Sequence, residues 1–212
     1  FATAFSFLKA IKPFIRIGYK EFTQDKSAFN SAMSYTLKRA VTGSGKEIKI
    51  DFDRALVSMG TLMPVFEGTA TVSNHQMTFN WKDNSGMGNA ERTDIVMVLV
   101  YNKDREAAVY DTEAALRSDC HAGLQLPEDW QDDELVAYLS FCSTDGNCVA
   151  NSICLPISVI EIPEEEIDVQ TESIDTTHKR ILPDKRTVHQ SRITVHSLSA
   201  PPNEIQTYRC ET

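Results

Sequence analysis

An unbroken apolar run at residues 95–101 restricts the fold of this chain more than any other segment. The run is too short to cross a membrane as a helix, and it has no polar face. It therefore predicts a central strand that is apolar on both faces. Other strand patterns surround it at the 8–12-residue spacing typical of β-sandwiches. These patterns lie at 46–52, 77–82, 107–110, 124–126, 135–141 and 149–160.

Before residue 46 the apolar residues follow a helical period. Pro13 interrupts or restarts a first helix, and Ser27 is the predicted N-cap of a later one that ends at 43–45. Within that later helix, apolar residues recur at every fourth position: Phe29, Met33, Leu37 and Val41. We therefore expect a mainly β protein, in which two or three short helices precede a β-sandwich of immunoglobulin or fibronectin type III form.

Three segments are predicted: a helical region at 1–45, the sandwich at 46–160 and an acidic linker with a mobile tail at 161–212. Residues 161–172 carry six acidic side chains and no basic one, a composition that cannot bury enough apolar surface to order itself. The alternative is that residues 181–182 and 193–195 add a strand to an open sheet edge.

The charge of the chain limits its partners. The 21 Lys and Arg residues are outnumbered by 30 Asp and Glu residues, so the net charge is −9. A surface this acidic repels phosphate backbones, so we expect no nucleic-acid partner. No apolar run is long enough to span a bilayer, so we expect no membrane span. The chain starts at Phe1 inside a predicted helix, which suggests a truncated N-terminus.

The five cysteines are an odd number and form no C-x-x-C pair. This slightly favours a reduced, cytoplasmic setting, although localisation itself stays open. As an alternative, a disulfide between Cys142 and Cys148 could pin a hairpin, because the residues at 143–147 can turn the chain back on itself.

Two candidate binding features stand out. The loop 83–90 is rich in Asp, Asn and Gly, and its polar residues Asp83, Asn84 and Asn89, together with Asp94, could contact a protein or a glycan. Equally, the loop could be a long turn whose Asp and Asn side chains bond their own backbone. Two carboxylates are few for calcium, so we expect no metal. Trp130 lies in a polar turn and is expected to be exposed, as a platform for a sugar.

Other patterns do not support catalysis. Residues 42–46 resemble a phosphate loop but follow a helix and precede a strand, the reverse of the order required. Cys120 and His121 are neighbours whose side chains would point to opposite faces of a strand. The acidic residues around Trp130 fit a solvated turn rather than the buried acid of a glycosidase. We expect no catalytic residues and no cofactor.

The predicted function is accordingly a non-enzymatic interaction or structural module, with a protein partner or self-association through the N-terminal helices. Phe14, Ile17, Phe29 and Met33 are expected to be buried against the sandwich or a partner subunit. The alternative is a carbohydrate-binding module that uses the loop 83–89 and Trp130.

Several ordered motifs carry a family resemblance. They include KPFIRIGYK at 12–20, SAFNSAMSY at 27–35 and FNWKDNSGMGNA at 79–90. With these motifs the chain resembles an uncharacterised domain-of-unknown-function family of Bacteroidota over about residues 1–160. The resemblance implies that a further Gly-rich, basic segment stands before the first helix in the family and is missing here. It provides no catalytic residues that could be transferred to this chain. The chain departs from the family pattern at Cys142, Cys148 and Cys154.

Overall fold

A computed structural model describes residues 1–44 and 47–159. Within these ranges the protein is mainly β, with three N-terminal helices. The helices are α1 (Ala2–Ala10), α2 (Lys12–Gly18) and α3 (Ala28–Arg39). The strands are β1 (Val41–Thr42), β2 (Lys49–Ile50), β3 (Phe66–Ser73), β4 (Gln76–Lys82), β5 (Ile95–Asn102), β6 (Ala107–Leu116), β7 (His121–Gln125), β8 (Leu135–Cys142), β9 (Ile153–Leu155) and β10 (Ile157–Val159). The predicted tail and its alternative strand lie outside the described residues.

Pro13 and Ser27 have the predicted roles in the helices, whereas the last helix ends earlier than predicted. Pro13 is in the first turn of α2, where its missing N–H costs nothing, so a new helix starts there. Ser27 caps α3, since its Oγ accepts a hydrogen bond from Asn30 N at 3.2 Å. The helix ends at Arg39 rather than at Gly43, because Val41 and Thr42 pair with β2. Gly43 then turns the chain, with φ at +87°.

Eight strands form two four-stranded sheets. One has the order β10-β3-β4-β7 and the other β6-β5-β8-β9. As predicted from residues 95–101, β5 is a central strand that pairs antiparallel with both β6 and β8. After Pro156 the chain crosses from one sheet to the other, and β10 pairs parallel with β3. The immunoglobulin or fibronectin type of the sandwich stays a prediction, as does the division of the chain at residues 45 and 160.

The sheet that contains β5 is covered on both faces, which explains why this strand has no polar side. Val96, Val98 and Val100 face the second sheet and share a core with Phe79 and others. The alternate residues Met97, Leu99 and Tyr101 face the helices instead. The described residues thus form three layers: helices, the β6-β5-β8-β9 sheet and the β10-β3-β4-β7 sheet. We call the two cores between them the helix-side core and the inter-sheet core.

The predicted apolar helix residues pack into the helix-side core. Phe14 and Met33 are buried there, and Ile17 and Phe29 are half-buried against the same cluster. The inner faces of the helices therefore cover the sheet of their own chain.

Two aromatic residues lie inside strand patterns of the sequence, Trp81 at 77–82 and Tyr138 at 135–141, and from these positions both are expected in the core of a sandwich. The structure separates them. Trp81 lies in the inter-sheet core as predicted, with its ring at a T-shaped angle to Phe141. Tyr138 lies on the opposite face of β8, in the helix-side core, and its hydroxyl donates a hydrogen bond to Phe52 O at 2.8 Å. Placing Tyr138 between the sheets was wrong, because residues of one strand alternate between its faces.

Several strands differ from their predictions. The pattern at 46–52 gives only the two-residue β2, and the one at 149–160 divides into β9 and β10, which belong to different sheets. β3 has no clean alternation: Glu67 adopts φ +48°, and the pairing with β4 shifts register between Phe66 and Thr69. Sequence reasoning therefore missed it. β6 runs to Leu116 instead of stopping near residue 110. It is an edge strand in its sheet, so exposed polar residues such as Asp111 and Glu113 are tolerated inside it.

Candidate functional site

The loop after β4 is a turn stabilised by its own residues. Asp83 Oδ1 accepts a hydrogen bond from Ser85 N at 2.9 Å, and Gly86 N donates to Ala90 O at 2.8 Å. Gly86 and Gly88 both have positive φ, at +81° and +59°. The hydroxyl and amide of Ser85 hold the pKa of Asp83 below its ordinary value. Asp83 stays exposed to solvent.

Asn89 ties this turn to the segment before β3. Its Oδ1 accepts from Met63 N at 2.8 Å, and its Nδ2 donates to Thr61 O at 3.1 Å. The amide group is thus used on both sides by backbone partners. Such a contact positions the loop rather than leaving the amide open to a ligand.

Asn84 and Asp94 converge on Arg117, a residue that sequence reasoning did not single out. Arg117 is fully buried, and its Nε lies 2.9 Å from Asp94 Oδ2. Its Nη1 donates to Asn84 Oδ1 at 2.5 Å, and its Nη2 donates to Met63 O at 2.9 Å. Asn84 and Asp94 are themselves buried, at 4% and 1% exposure. The guanidinium therefore has a partner on each nitrogen.

The inter-sheet core surrounds this network. The guanidinium carbon of Arg117 lies 3.8 Å from the centre of the Phe141 ring, and Trp81 Nε1 donates to Arg117 O at 2.7 Å. Burial lowers the pKa of Arg117, and Asp94 opposes that shift. A lone arginine after an edge strand gives no sequence signal. Only the folded chain brings it against Asn84 and Asp94, where it joins the segments next to β4, β5 and β6.

Trp130 is not exposed, so the prediction of an open aromatic platform was wrong. Its side chain is only 5% exposed and belongs to the inter-sheet core. Pro127 begins a short 3-10 turn there, and Trp130 N donates to Pro127 O at 3.1 Å, which directs the ring inward. The polar neighbours indicated a surface turn, and the backbone is one, but the ring fills the space between the sheets.

The acidic residues around Trp130 form an exposed turn. We call residues 128–134 the acidic turn, since five of its seven residues are Asp or Glu. Arg105 binds two of them, with Nη1 2.6 Å from Asp129 Oδ2 and Nε 2.5 Å from Asp133 Oδ2. Glu128 and Asp132 are exposed and form no ion pair with another described residue.

The thiols of Cys142 and Cys148 are free and lie on opposite sides of the sheet. The predicted turn at 143–147 does fold back, with Ser143 N donating to Cys148 O at 2.8 Å. Cys142, however, is buried in the helix-side core, whereas Cys148 packs against the inter-sheet core. Their sulfur atoms therefore point apart, and the disulfide does not form. Burial raises the pKa of the Cys142 thiol.

Within residues 1–44 and 47–159, the two other cysteines, Cys120 and Cys154, give no reactive pair. Cys120 Sγ donates to Ser118 O at 3.6 Å, while His121 Nδ1 lies 2.8 Å from Asp119 O. Burial and a hydrogen bond to Asp53 raise the pKa of Cys154 to about 12, so this thiol stays protonated near neutral pH. Among the described residues, no group of three or more His, Cys, Asp or Glu side chains could hold a metal ion.

The outer surface of the helices has a different character. We call it the helical face, and it is formed by the exposed side chains of residues 1–39. Its apolar residues include Phe5, Phe22 and Leu37, exposed at 43%, 42% and 37%. The Phe5 ring stacks on Phe1 with centroids 6.2 Å apart and meets Phe29 edge-on at 5.9 Å. Phe1 and Phe5 thus form an exposed aromatic pair that extends onto half-buried Phe29.

The helical face is also basic, in contrast to the whole chain. Residues 1–44 contain seven Lys and Arg residues but only two acidic ones. All seven are exposed and none forms an ion pair with another described residue: Lys9, Lys12, Arg16, Lys20, Lys26, Lys38 and Arg39. Residues 47–159 have the opposite balance, with seven basic and eighteen acidic side chains.

Three of these basic residues line one cleft. It lies between α3 and the segment before it, has a volume of about 540 Å³, and includes Lys26, Lys38 and Arg39. Phe22 and Tyr35 add aromatic surface to its walls. Two acidic residues, Glu21 and Asp25, also line it, and the Glu21 carboxylate already accepts hydrogen bonds from Thr61 and Val149. We call this depression the basic cleft.

No helix in the described ranges is long and apolar enough to cross a membrane. Residues 1–156 match the model of a family of unknown function, DUF6266. None of the curated proteins matches the chain.

Proposed function

Because this chain belongs to the family of unknown function DUF6266, which assigns no activity, we propose from its surface that it is a non-enzymatic module that binds a protein through its helical face. The observation that carries the proposal is the pair of solvent-exposed rings Phe1 and Phe5, which stack on each other on the helical face beside half-buried Phe29. Exposed aromatic side chains are typical of protein interfaces, where Tyr, Trp and Phe are enriched.

The polar candidates elsewhere support the same choice. Asn84, Asn89 and Asp94 bind groups within their own chain, and Trp130 is buried, so the carbohydrate-binding alternative loses its aromatic platform. The helical face keeps both its apolar and its charged groups in solvent. The helices that present it are also held in place, since their inner faces pack against the sheet.

The order of strands supports a fibronectin-type sandwich as the scaffold. With β3, β4, β5, β6, β7, β8 and β9 taken as strands A, B, C, C′, E, F and G, the sheets read A-B-E and C′-C-F-G. We propose this type for the two sheets. In this arrangement the helices cover the C′-C-F-G sheet, and the unit that binds a partner is the helical layer on that support.

The test is loss of a partner when two exposed aromatic side chains of the helical face, Phe5 and Phe22, are made polar. We would cross-link the full chain in cells that express it naturally, then compare the wild type with a Phe5→Ser and Phe22→Ser double variant. A protein captured by the wild type but lost from that variant supports the proposal.

The matched control is Phe66→Ser with Met87→Ser, which removes two side chains of similar exposure outside the helices. This control should keep the captured protein. The proposal fails if the Phe5 and Phe22 variant, shown to be folded by its melting temperature, captures the same proteins as the wild type.

A further inference from the structure

The charge distribution of the described residues identifies a partner for the basic cleft. The helical face has a surplus of positive side chains, while residues 47–159 have a surplus of negative ones. A molecule with two such surfaces is complementary to a second copy of itself. This step rests on the proposed function, because it names the protein that the helical face binds.

We propose that the basic cleft binds the acidic turn of a second copy, in a head-to-tail contact. The cleft presents Lys26, Lys38 and Arg39, and none of the three forms an ion pair with a described acidic residue. These three positive side chains outnumber the two acidic ones in the lining, so the cleft keeps a net positive charge. The acidic turn is the densest acidic segment among residues 47–159, and it presents Glu128 and Asp132 without ion pairs.

The shape of the turn suits insertion into a cleft. Trp130 anchors it in the inter-sheet core, and Arg105 binds Asp129 and Asp133, so the backbone is held before any partner arrives. A preorganised surface loses less conformational entropy on binding than a flexible one. The aromatic walls of the cleft at Phe22 and Tyr35 add apolar contact around the charged pairs.

The net charge of −9 does not prevent such a contact. At physiological ionic strength the Debye length is about 8 Å, so the repulsion between two whole molecules is largely screened at longer distances. Opposite charges in direct contact are screened less. We propose one cleft–turn contact per pair of molecules, which is heterologous and leaves one cleft and one turn of each dimer free to bind further copies.

Sedimentation velocity of the full chain at rising concentration tests this. We expect the sedimentation coefficient to increase with concentration at physiological salt. Raising the salt several-fold should weaken the affinity of self-association about tenfold. Lys38→Glu with Arg39→Glu should weaken association at least about tenfold, and so should Glu128→Lys with Asp132→Lys.

Mixing the two reversed variants provides the decisive result. The variant with Lys38→Glu and Arg39→Glu has an acidic cleft and an acidic turn. The variant with Glu128→Lys and Asp132→Lys has a basic cleft and a basic turn. Each variant should therefore bind the other but not itself. Association should return in the mixture. The control Lys12→Glu with Arg16→Glu changes the charge of α2 by the same amount outside the cleft and should associate as the wild type does.

A wild-type chain that stays monomeric at all concentrations would overturn the inference. So would equal weakening by the α2 control, or no recovery in the mixture. Addition of a single-stranded oligonucleotide tests nucleic acid as an alternative occupant, and saturable binding that the Lys38 and Arg39 variant abolishes would also overturn it. If self-association fails while capture of another protein still depends on Phe5 and Phe22, only this inference falls. If that capture fails as well, the proposed function falls too.

Discussion

The two cores on either side of the β6-β5-β8-β9 sheet are built differently. The inter-sheet core contains Val96, Val98 and Val100 from β5 and has one buried charged network at its end, around Arg117. The helix-side core receives larger residues from β5 and contains three buried tyrosines: Tyr19, Tyr101 and Tyr138. The comparison teaches that the helices are a structural layer of this fold, because one whole face of its central strand would otherwise meet water.

The strongest test of this comparison is to remove one large side chain from each core. Phe14→Ala opens the helix-side core and Phe79→Ala opens the inter-sheet core, and both residues are fully buried. We expect each change to lower the free energy of unfolding by about 3–5 kcal/mol, measured by urea denaturation. A loss below about 1 kcal/mol for Phe14→Ala alone would show that the helices are an appendage.

Arg117→Ala should destabilise the inter-sheet core next to the buried charged network. The change leaves Asp94 buried without its cation, and we expect a loss of at least about 3 kcal/mol in the free energy of unfolding. The double variant Arg117→Met with Asp94→Asn removes both charges and should be more stable than Arg117→Ala. If it is not, the buried charge is not what makes the single variant unstable.

Glu21 links the helical layer to the sandwich, so its removal should loosen one layer from the other. Its carboxylate accepts from Val149 N at 2.8 Å, from Thr61 N at 3.1 Å and from Thr61 Oγ1 at 2.8 Å. We expect Glu21→Ala to lower the free energy of unfolding by about 2 kcal/mol in the same denaturation experiment. The nearby Asp25→Ala should change it little, since Asp25 is exposed.

Alkaline pH should weaken the helix-side core first, because its tyrosines must stay neutral. Burial raises the pKa of Tyr101 from 10.0 to about 12, and burial also raises the pKa values of Tyr19 and Tyr138. A raised pKa in the folded state gives stability that is complete below pH 10 and is lost as the pH rises toward 12.

At pH 11 each such phenol should cost up to about 1.4 kcal/mol, seen as a falling melting temperature between pH 9 and 11. With each protein compared with its own melting temperature at pH 8, the Tyr101→Phe variant should lose less melting temperature at high pH than the wild type does. If both melting temperatures fall equally with pH, Tyr101 is accessible to solvent in the folded protein.

Much of the layout follows from local patterns. The helical period before residue 40, the Ser27 cap and the apolar run at 95–101 each predict an element that the structure contains. Periodicity can do this because it records which faces of a helix or strand avoid water, and that information lies within a few neighbouring residues. Strand β3 was not predicted, because a bulge and Gly68 interrupt the alternation of apolar and polar residues along it.

The candidate site needed the tertiary structure. Arg117 lies 23 residues from Asp94 and 33 from Asn84, and no local pattern links such distant positions. The same holds for Trp130, whose polar neighbours describe the backbone turn but not the space between two sheets that its ring fills. Which face of a strand meets helices and which meets a second sheet is likewise decided by packing, since an apolar side chain is stabilised equally by either layer once water is excluded.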